Sequence, residues 1–475
     1  MNVSEIVNGE NTVIEEEGKL KFREKLLIMI NGGTGTFHNQ MIQMFLLFFY
    51  SDVLKINMAY VATLFLVVRV VDAILAPMFG ILIDKISTPW GKYKPWYIAI
   101  GVIDGLFGWL TFTAVDLGPN GKLIYATFTY FIYSTIKSIG QAPACALIPA
   151  VTKRVDERIS MYKINGFLIP ICALLVNAGV APLYKVIGRG DYARGFSLIM
   201  GGVFVVTALI GLCQAVVIKE RYIVKTSEEN DKKTVTIKEM FSAIITNKTA
   251  LIVYISTFCA NLANGIRSGV TIYFFKYFFH NEVLMAIVGT LSMVPTLIGL
   301  MFSAKLTKRI GIKNNIILGV VAGTVSSILM VLVPPTQMGI IMYIVLGMIS
   351  SLFGGLTGPA AGTMLPAAMD YAEWKTGKNI SGLLGSFNGL LGTIATAISG
   401  AGIALALSLI GYVGGAVEQS ASTVFWIKML MTLLPTIVGL GGLCVIWFDL
   451  DEDKQAEISK DLAERRQKVA ESEMV

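Results

Sequence analysis

Charged residues are scarce in this chain of 475 residues. Asp, Glu, Lys and Arg together make up 15% of it, whereas hydrophobic residues make up 54%. A soluble domain carries about 25% charged residues, and the mean hydropathy here is +0.67. The composition excludes an ordinary soluble domain and predicts a membrane protein.

Residue types suited to metal or redox chemistry are also few. The two histidines, His38 and His280, have no metal-binding spacing. The cysteines all lie in apolar runs, where they are interpreted as small buried hydrophobes: Cys145, Cys172, Cys213, Cys259 and Cys444. No nucleophile–base pair or nucleotide loop is recognisable. We therefore predict that the protein is not an enzyme and has no cofactor or metal centre.

Long apolar runs recur along the chain instead. Twelve of them, between Leu26 and Phe448, are long enough to cross about 30 Å of hydrocarbon. The loops predicted on one side of the membrane contain more Lys and Arg than those predicted on the other side; the richer set includes the loop with Lys92 and Lys94 and the loop with Lys305. By the positive-inside rule, this asymmetry places both termini in the cytoplasm. The predicted fold is an all-α membrane protein with twelve transmembrane helices and cytoplasmic N and C termini.

The longest polar interruption divides these spans into two groups of six, as in transporters whose halves move around a central site. We predict four regions: a first bundle with its cytoplasmic N-terminal tail (1–218), a central cytoplasmic loop (219–249), a second bundle (250–448) and a charged cytoplasmic tail (449–475). In the tail, Ile458 and Leu462 have helical spacing, which predicts a surface helix.

Two charges lie inside the second apolar run. Arg69 and Asp72 are three residues apart, so they share one helix face and can partly neutralise each other. A charge at the bilayer centre costs about 3 kcal/mol on insertion scales. Such a pair either serves packing alone or marks a polar site inside the bundle, and we favour the site.

Three stretches carry a resemblance to a known family: RVVDAILAPMFGILIDKISTPWGKYKPW from Arg69, DYAEWKTGKNISG from Asp370, and ISKDLAERR from Ile458. Together with YSDV at Tyr50–Val53, they resemble the glycoside–pentoside–hexuronide:cation symporters of the major facilitator superfamily, which include melibiose permease. The resemblance implies the major facilitator fold and a multi-pass protein of the cytoplasmic membrane. It also implies a carrier, normally driven by Na⁺ or H⁺, for a sugar or glycoside.

The resemblance also implies a conformational gate at the cytoplasmic helix ends. Charged side chains of two loops would pair there and separate when the carrier opens inward: Asp84, Lys92, Lys94, Asp370, Glu373, Lys375 and Lys378, with Arg69 added from span two. The alternative is that these charges only anchor the loops on the cytoplasmic side.

Most charged site positions of the family are neutral here. The family's second span carries two carboxylates four residues apart, where this chain has Asp72 and Ala76. Other charged positions align with Thr36, Gln141 and Thr393, and a span-five arginine with Asn165 or, one turn away, Lys163. A lone carboxylate makes a poor Na⁺ site, so we expect Na⁺ coupling to be absent or atypical. Asp72 remains the candidate coupling residue for either ion.

The chain adds Lys137 to its fourth span, where a buried ammonium needs an opposite charge. In one account, Lys137 forms a fixed pair with Asp72, or alternatively with Asp104, and the carrier is a uniporter or weakly H⁺-coupled. In the other, Lys137 and Arg267 hold an anionic group of the substrate. The pair with Asp72 is the simpler compensation. The predicted substrate site comprises Thr36, Lys137, Gln141, Asn165, Arg267, Asn388 and Thr393.

The predicted function is secondary transport of a sugar, glycoside or sugar acid by alternating access. The partners are this small molecule, with an anionic one among the alternatives, and the lipid bilayer; no nucleic acid is expected, and the carrier is expected to be a monomer. One alternative is a carrier of lysolipid-like amphiphiles with the same fold. Another is a membrane sensor or scaffold that does not transport and uses the central loop to bind partners.

Overall fold

The computed structural model describes residues 20–86, 88, 90–152, 154–221, 247–377 and 381–450, and of the tail 454–455, 457–458, 460–462 and 464–465. We number its long helices in chain order. The N-terminal half contains α1 (22–53), α2 (Met58–Lys85), α3 (Lys94–Thr111), α4 (119–151), α5 (155–187) and α6 (Tyr192–Val217). The C-terminal half contains α7 (Lys248–Tyr277), α8 (Val283–Ile310), α9 (Ile312–Val331), α10 (Gln337–Thr376), α11 (Ser381–Leu409) and α12 (421–447).

Several helices are locally irregular. Helix α1 contains two π-helical turns, Ile42–Leu46 and Phe49–Val53, and α5 contains a third, Leu175–Val180. Helix α4 is interrupted at Gly140. Such wide turns are frequent at functional sites, and the second turn of α1 carries Asp52 into the contact between the halves described below.

Eight helices, α5 to α12, are long and apolar enough to cross a membrane, counted among the described residues. Of the other four, α1, α3 and α4 contribute polar side chains to an internal cavity that α5 also lines. The chain is thus an all-helical, multi-pass membrane protein. The prediction of twelve spans, with both termini on one side, is taken up under Proposed function.

Helix packing within each half is extensive. In the N-terminal half, α1 packs on α5 and α3 packs on α6, and in the C-terminal half α7 packs on α11 and α12. Helices α8 and α10 approach closely at two glycines. A Cβ atom added at Gly299 would lie 2.2 Å from the carbonyl oxygen of Leu352, and one at Gly355 would lie 2.1 Å from that of Thr296. Small residues are therefore required at this helix contact.

The two halves meet mainly through α2 with α11 and α5 with α8. At one end of the molecule, a single aromatic core contains residues of both halves, including Phe48, Tyr184, Phe196, Tyr273 and Tyr412. We call this the sealed end. The rings pack closely: Tyr184 and Phe196 lie with centroids 4.9 Å apart, and Phe48 and Tyr273 with centroids 5.9 Å apart.

The opposite end has no core shared by the two halves among the described residues. One buried cluster there, with Leu147 and Tyr97, belongs to the N-terminal half, and another, with Tyr254 and Ala368, belongs to the C-terminal half. We call this the open end. It carries the loop with Lys92 and Lys94 and both ends of the described chain.

The described tail residues pack against the C-terminal half at the open end. Ile458 and Leu462 are each 4% exposed within its apolar cluster, and Trp374 Nε1 donates to Asp461 Oδ2 at 2.6 Å. The apolar face predicted from their helical spacing is therefore buried on the bundle. The predicted central loop lies outside the described residues from 222 to 246.

Candidate functional site

A cavity of about 570 Å³ lies within the N-terminal half, between α1, α3, α4 and α5. Its size falls within the range of small-molecule sites, about 300–1,000 Å³. The polar side chains lining it come from all four helices: Asn31, Thr34, Thr36, Asn39, Tyr97, Asp104, Lys137, Tyr162 and Asn165. Three predicted site residues, Thr36, Lys137 and Asn165, therefore lie on one cavity.

Lys137 faces this cavity from α4. Its Nζ atom donates a hydrogen bond to Asn39 Oδ1 at 2.8 Å and lies 5.7 Å from the centroid of the Tyr133 ring. Asp104 of α3, which lines the same cavity, supplies the principal opposite charge. The Lys137 ammonium has three donor hydrogens, and the described residues give it one oxygen acceptor.

Asp104 and His38 form a second polar pair at the wall of this cavity. His38 Nδ1 lies 3.4 Å from Asp104 Oδ2 and 2.9 Å from the carbonyl oxygen of Thr34. The histidine is fully buried. Its ring packs against Gly108, where an added Cβ would lie 2.8 Å from His38 Cδ2. Asp104 Oδ1 and His38 Nε2 are buried without a hydrogen-bond partner among the described residues.

Asp72 lies apart from this cluster. Its carboxylate is 1% exposed and accepts hydrogen bonds from Ser134 and, at 3.0 Å, from Thr135 Oγ1. Arg69 Nη1 lies 3.9 Å from Asp72 Oδ2, the pairing that the spacing of three residues predicts. The predicted pair between Lys137 and Asp72 is wrong in this conformation, because hydroxyl groups of α4 already bind Asp72 and Lys137 turns toward the cavity.

Arg267 lines a different cavity, of about 280 Å³, within the C-terminal half. Its Nη2 atom donates to Ser327 Oγ at 3.1 Å, and Asn264 lines the same space. Lys137 and Arg267 do not share a cavity in this conformation, so a substrate held by both would require the halves to move.

Two further predicted substrate residues, Asn388 and Thr393, line neither of these two cavities. The side-chain oxygen of Asn388 is buried without a partner among the described residues. Thr393 donates to the carbonyl of Gly389, one turn earlier in α11, at 3.2 Å. The side chain of Gln141 lies outside the described residues.

Of the predicted gate residues, Lys92, Lys94, Asp370, Glu373 and Lys375 lie at the open end, whereas Arg69 lies beside Asp72 within α2. The backbone N–H groups of Lys92 and Lys94 bind the Glu220 carboxylate, and Lys94 Nζ donates to the carbonyl of Ala215 at 2.8 Å. These three contacts are all within the N-terminal half. Lys375 Nζ lies 5.8 Å from the centroid of the Tyr371 ring in its own helix, α10, which also carries Asp370 and Glu373. The side chain of Asp84 and residue Lys378 lie outside the described residues, and the gate stays a prediction.

Sequence reasoning missed an acid that joins the halves at the sealed end. The Asp52 side chain of α1 is 3% exposed. It accepts from Lys276 Nζ at 2.8 Å, Tyr277 Oη at 2.7 Å and Tyr412 Oη at 2.5 Å, all from the C-terminal half. The Ser51 hydroxyl donates to the same carboxylate at 2.6 Å. Charge-assisted bonds of this kind are about twice as strong as neutral ones.

A second acid makes the reciprocal contact. Glu282, between α7 and α8, accepts from Tyr184 Oη and, at 2.9 Å, from Tyr192 Oη in the N-terminal half. Lys185 Nζ lies 3.2 Å from the same carboxylate. Each half thus inserts one acid among a lysine and two tyrosines of the other half. In the sequence, Asp52 and Glu282 each come shortly after a tyrosine at the end of an apolar run. The neighbouring residues do not indicate which side chains of the other half each acid contacts.

Comparisons with known proteins agree with this architecture. The family model for MFS/sugar transport proteins matches residues 31–452. The chain is 29% identical to the isoprimeverose transporter of Lactiplantibacillus pentosus over 420 residues, which cover 87% of this chain and 85% of that one. It is 26% identical to a putative sulfoquinovose importer of Salmonella typhimurium, with 94% of each chain covered.

Solved structures show the same fold at low sequence identity. The inward-open xylose transporter XylE from E. coli superposes with a TM-score of 0.61 at 13% identity, covering 92% of this chain and 98% of that one. The fold and the match over most of the chain together show that the protein is a secondary transporter of the cytoplasmic membrane and belongs to the MFS/sugar transport protein family.

Proposed function

We propose that this transporter carries a sugar, glycoside or sugar acid through the cavity of the N-terminal half, and that it does so as a monomer. The observation that carries the proposal is the cavity itself, which places Thr36, Asn39, Asp104, Lys137 and Asn165 around about 570 Å³. Amide, hydroxyl and charged groups are suited to the many hydroxyls of a sugar. The isoprimeverose transporter and the putative sulfoquinovose importer support this substrate class.

We propose twelve membrane spans, with the open end in the cytoplasm. The twelve long helices of the described residues have the lengths that membrane spans require. The open end carries the basic loop residues that favour the cytoplasmic side. On this orientation, the shared core and the contacts of Asp52 and Glu282 close the outer side, while the cavity of the N-terminal half serves the inward-facing state.

We propose that any coupling ion is H⁺ rather than Na⁺. The guanidinium of Arg69 lies 3.9 Å from the Asp72 carboxylate, so a second cation at Asp72 would meet a like charge. Hydroxyl groups of Ser134 and Thr135 already donate to this carboxylate. A proton needs only one acceptor and no shell of oxygen ligands.

Transport assays on the purified protein in lipid vesicles test the proposal. The probes are a labelled neutral xylosyl disaccharide, a neutral hexoside, a hexuronate and a lysophospholipid. We expect exchange of at least one sugar class, weakened by Asn39→Ala and Asn165→Ala. Asn314→Ala, at an exposed position of the open end, is the matched control and should transport as the wild type does.

Three results would overturn the proposal. Movement of the lysophospholipid without any sugar would identify an amphiphile carrier. A correctly inserted protein that moves no probe would favour the sensor or scaffold. An equal substrate affinity in the wild type and both cavity variants would place the site elsewhere.

A further inference from the structure

We propose that Asp104 is the proton-binding carboxylate of this carrier, and that its protonation balances the charge of an anionic group of the sugar, a carboxylate or sulfonate, bound at Lys137. This inference rests on the proposed function, because it specifies the substrate class of the same cavity. It differs from the expectation that Asp72 is the coupling residue.

The first support is the position of the two charges. Asp104 on α3 and Lys137 on α4 line the same cavity, yet they form no direct ion pair among the described residues; Lys137 instead donates to Asn39. Their charges therefore act on each other across the space that a substrate would enter. The Lys137 ammonium retains donor hydrogens for a ligand, since it has three and Asn39 accepts one.

The second support is the incomplete hydrogen bonding of Asp104. Its Oδ1 atom is buried without a partner among the described residues, and its Oδ2 atom lies 3.4 Å from His38 Nδ1. A buried charged oxygen without a hydrogen bond is unfavourable. A proton on Oδ1 removes the charge and creates a donor, so the carboxyl group can exist in both protonation states with modest rearrangement.

His38 orients this carboxylate. The Thr34 carbonyl can only accept a hydrogen bond, so the contact at 2.9 Å assigns the hydrogen of the neutral ring to Nδ1. The same nitrogen lies 3.4 Å from Asp104 Oδ2, while Nε2 has no hydrogen-bond partner among the described residues. The fully buried ring, packed on Gly108, is thus a positioning residue for Asp104.

The surroundings contain few other charges. Helix α1 presents His38, and α4 presents Lys137 and Tyr133; Arg69 of α2 acts on Lys137 from farther away. Helix α6 presents only uncharged side chains where it packs against Gly105 and Gly108: Met200, Phe204 and Thr207. The charge balance of the cavity is therefore set chiefly by Asp104 and Lys137.

This balance couples the two ligands. With Asp104 ionised and Lys137 charged, the empty cavity is neutral. An anion alone would leave one excess negative charge, and a proton alone would leave one excess positive charge. Both states leave an uncompensated charge among partly buried groups, which is unfavourable. A proton on Asp104 together with an anion at Lys137 restores neutrality, so the two bind together and are released together.

The test measures binding of a sulfonated hexose to the full-length protein in vesicles between pH 5.5 and 8.5. The sulfonate stays ionised throughout, so any pH dependence belongs to the protein. We expect affinity to fall as the pH rises, by up to about tenfold per pH unit, as linkage to one proton requires. An affinity that is constant across this range in the wild type would overturn the proposal without any variant.

Variants assign the effect to residues. Asp104→Asn should bind the sulfonated hexose with little pH dependence, and should exchange it while losing accumulation driven by a pH gradient. Lys137→Gln should lose the preference for the anionic over a neutral hexoside. Asp156→Asn, an exposed acid near Arg154, is the matched control and should keep the wild-type pH profile. A wild-type profile in Asp104→Asn would contradict the assignment.

The neutral xylosyl disaccharide separates the two proposals. If it is transported while the sulfonated hexose does not bind, the proposed function stands and this inference is overturned. If no sugar probe, neutral or anionic, binds at any pH, the proposed function fails, and the inference fails with it.

Discussion

Two sets of buried carboxylates differ in how completely their oxygens are hydrogen-bonded. At the sealed end, Asp52 accepts four hydrogen bonds, one of them from Lys276, and Glu282 binds two tyrosines and a lysine. At the cavity, Asp104 retains an oxygen without a partner among the described residues. All three are acids within the helical bundles, but the hydrogen-bond donors around them differ.

The difference indicates different roles. A carboxylate surrounded by donors is held in its charged form and fixes the elements that supply those donors. A carboxylate with an open oxygen beside a cavity can change its protonation state or bind a ligand. The saturated acids connect the N-terminal and C-terminal halves, whereas Asp104 lies within one half. On the proposals above, closure of the outer side and coupling belong to separate residues, which can be altered independently.

The largest effect is expected from Asp52→Ala. It leaves Lys276, whose side chain is 17% exposed, without its carboxylate. Breaking a buried pair in this way costs about 3–5 kcal/mol. We expect a lower free energy of unfolding in detergent micelles. In a background without native cysteines, spin labels at Asn120 and Val417 should move apart as the sealed end opens.

The control for Asp52 is Glu418→Gln, because Glu418 is an exposed acid in the loop after α11. It should change neither stability nor the label distance. Unchanged distances in Asp52→Ala would show that the shared aromatic core and the Glu282 contacts close this end without Asp52.

A smaller loss is expected from Glu282→Gln. The amide keeps one oxygen for the tyrosines but removes the charge opposite Lys185, whose side chain is 40% exposed and can turn to water. Hydrogen bonds to a charged group contribute about 1.5–3 kcal/mol. The free energy of unfolding should fall less than in Asp52→Ala. A loss as large as that of Asp52→Ala would mean that both acids are equally essential for closure.

Local spacing explains which parts of this site could be predicted from the sequence. The Arg69–Asp72 contact follows from neighbouring turns of one helix, and polar residues such as Thr36 and Lys137 stand out in apolar spans. The all-helical fold follows from the apolar runs.

Contacts between distant segments were not predictable in this way. Asp52 lies 224 residues before Lys276 and 360 before Tyr412. Hydrophobic periodicity does not specify which helices of the two halves meet. Side-chain direction explains the error at Lys137: Ser134, one turn earlier on α4, binds Asp72, while Lys137 faces the cavity.

A change at His38 should shift the pH dependence of transport without abolishing transport. His38→Gln keeps a side-chain N–H donor but alters its direction toward Asp104 Oδ2. We expect the pH midpoint of sulfonated-hexose binding to move by less than about one unit, equivalent to about 1.4 kcal/mol. His38→Leu, which lacks any donor, should move it further in the direction of easier protonation. Equal midpoints in the wild type and both variants would show that His38 only fills space beside Gly108.

The smallest effect is expected for the coupling between Asp72 and Lys137. A fixed pair would make the double variant less harmful than the sum of the single changes, because removing both partners leaves no unpaired charge. In the structure, Asp72 instead contacts Ser134, Thr135 and Arg69, and Lys137 donates to Asn39.

When two residues share no partners, the stability changes caused by their substitutions usually add within about 0.3–0.5 kcal/mol. Unfolding of Asp72→Asn, Lys137→Gln and the double variant should therefore give an interaction energy within that range. An interaction energy several times larger would show that Lys137 reaches Asp72 in another conformation of the cycle, and that Asp72 rather than Asp104 balances its charge.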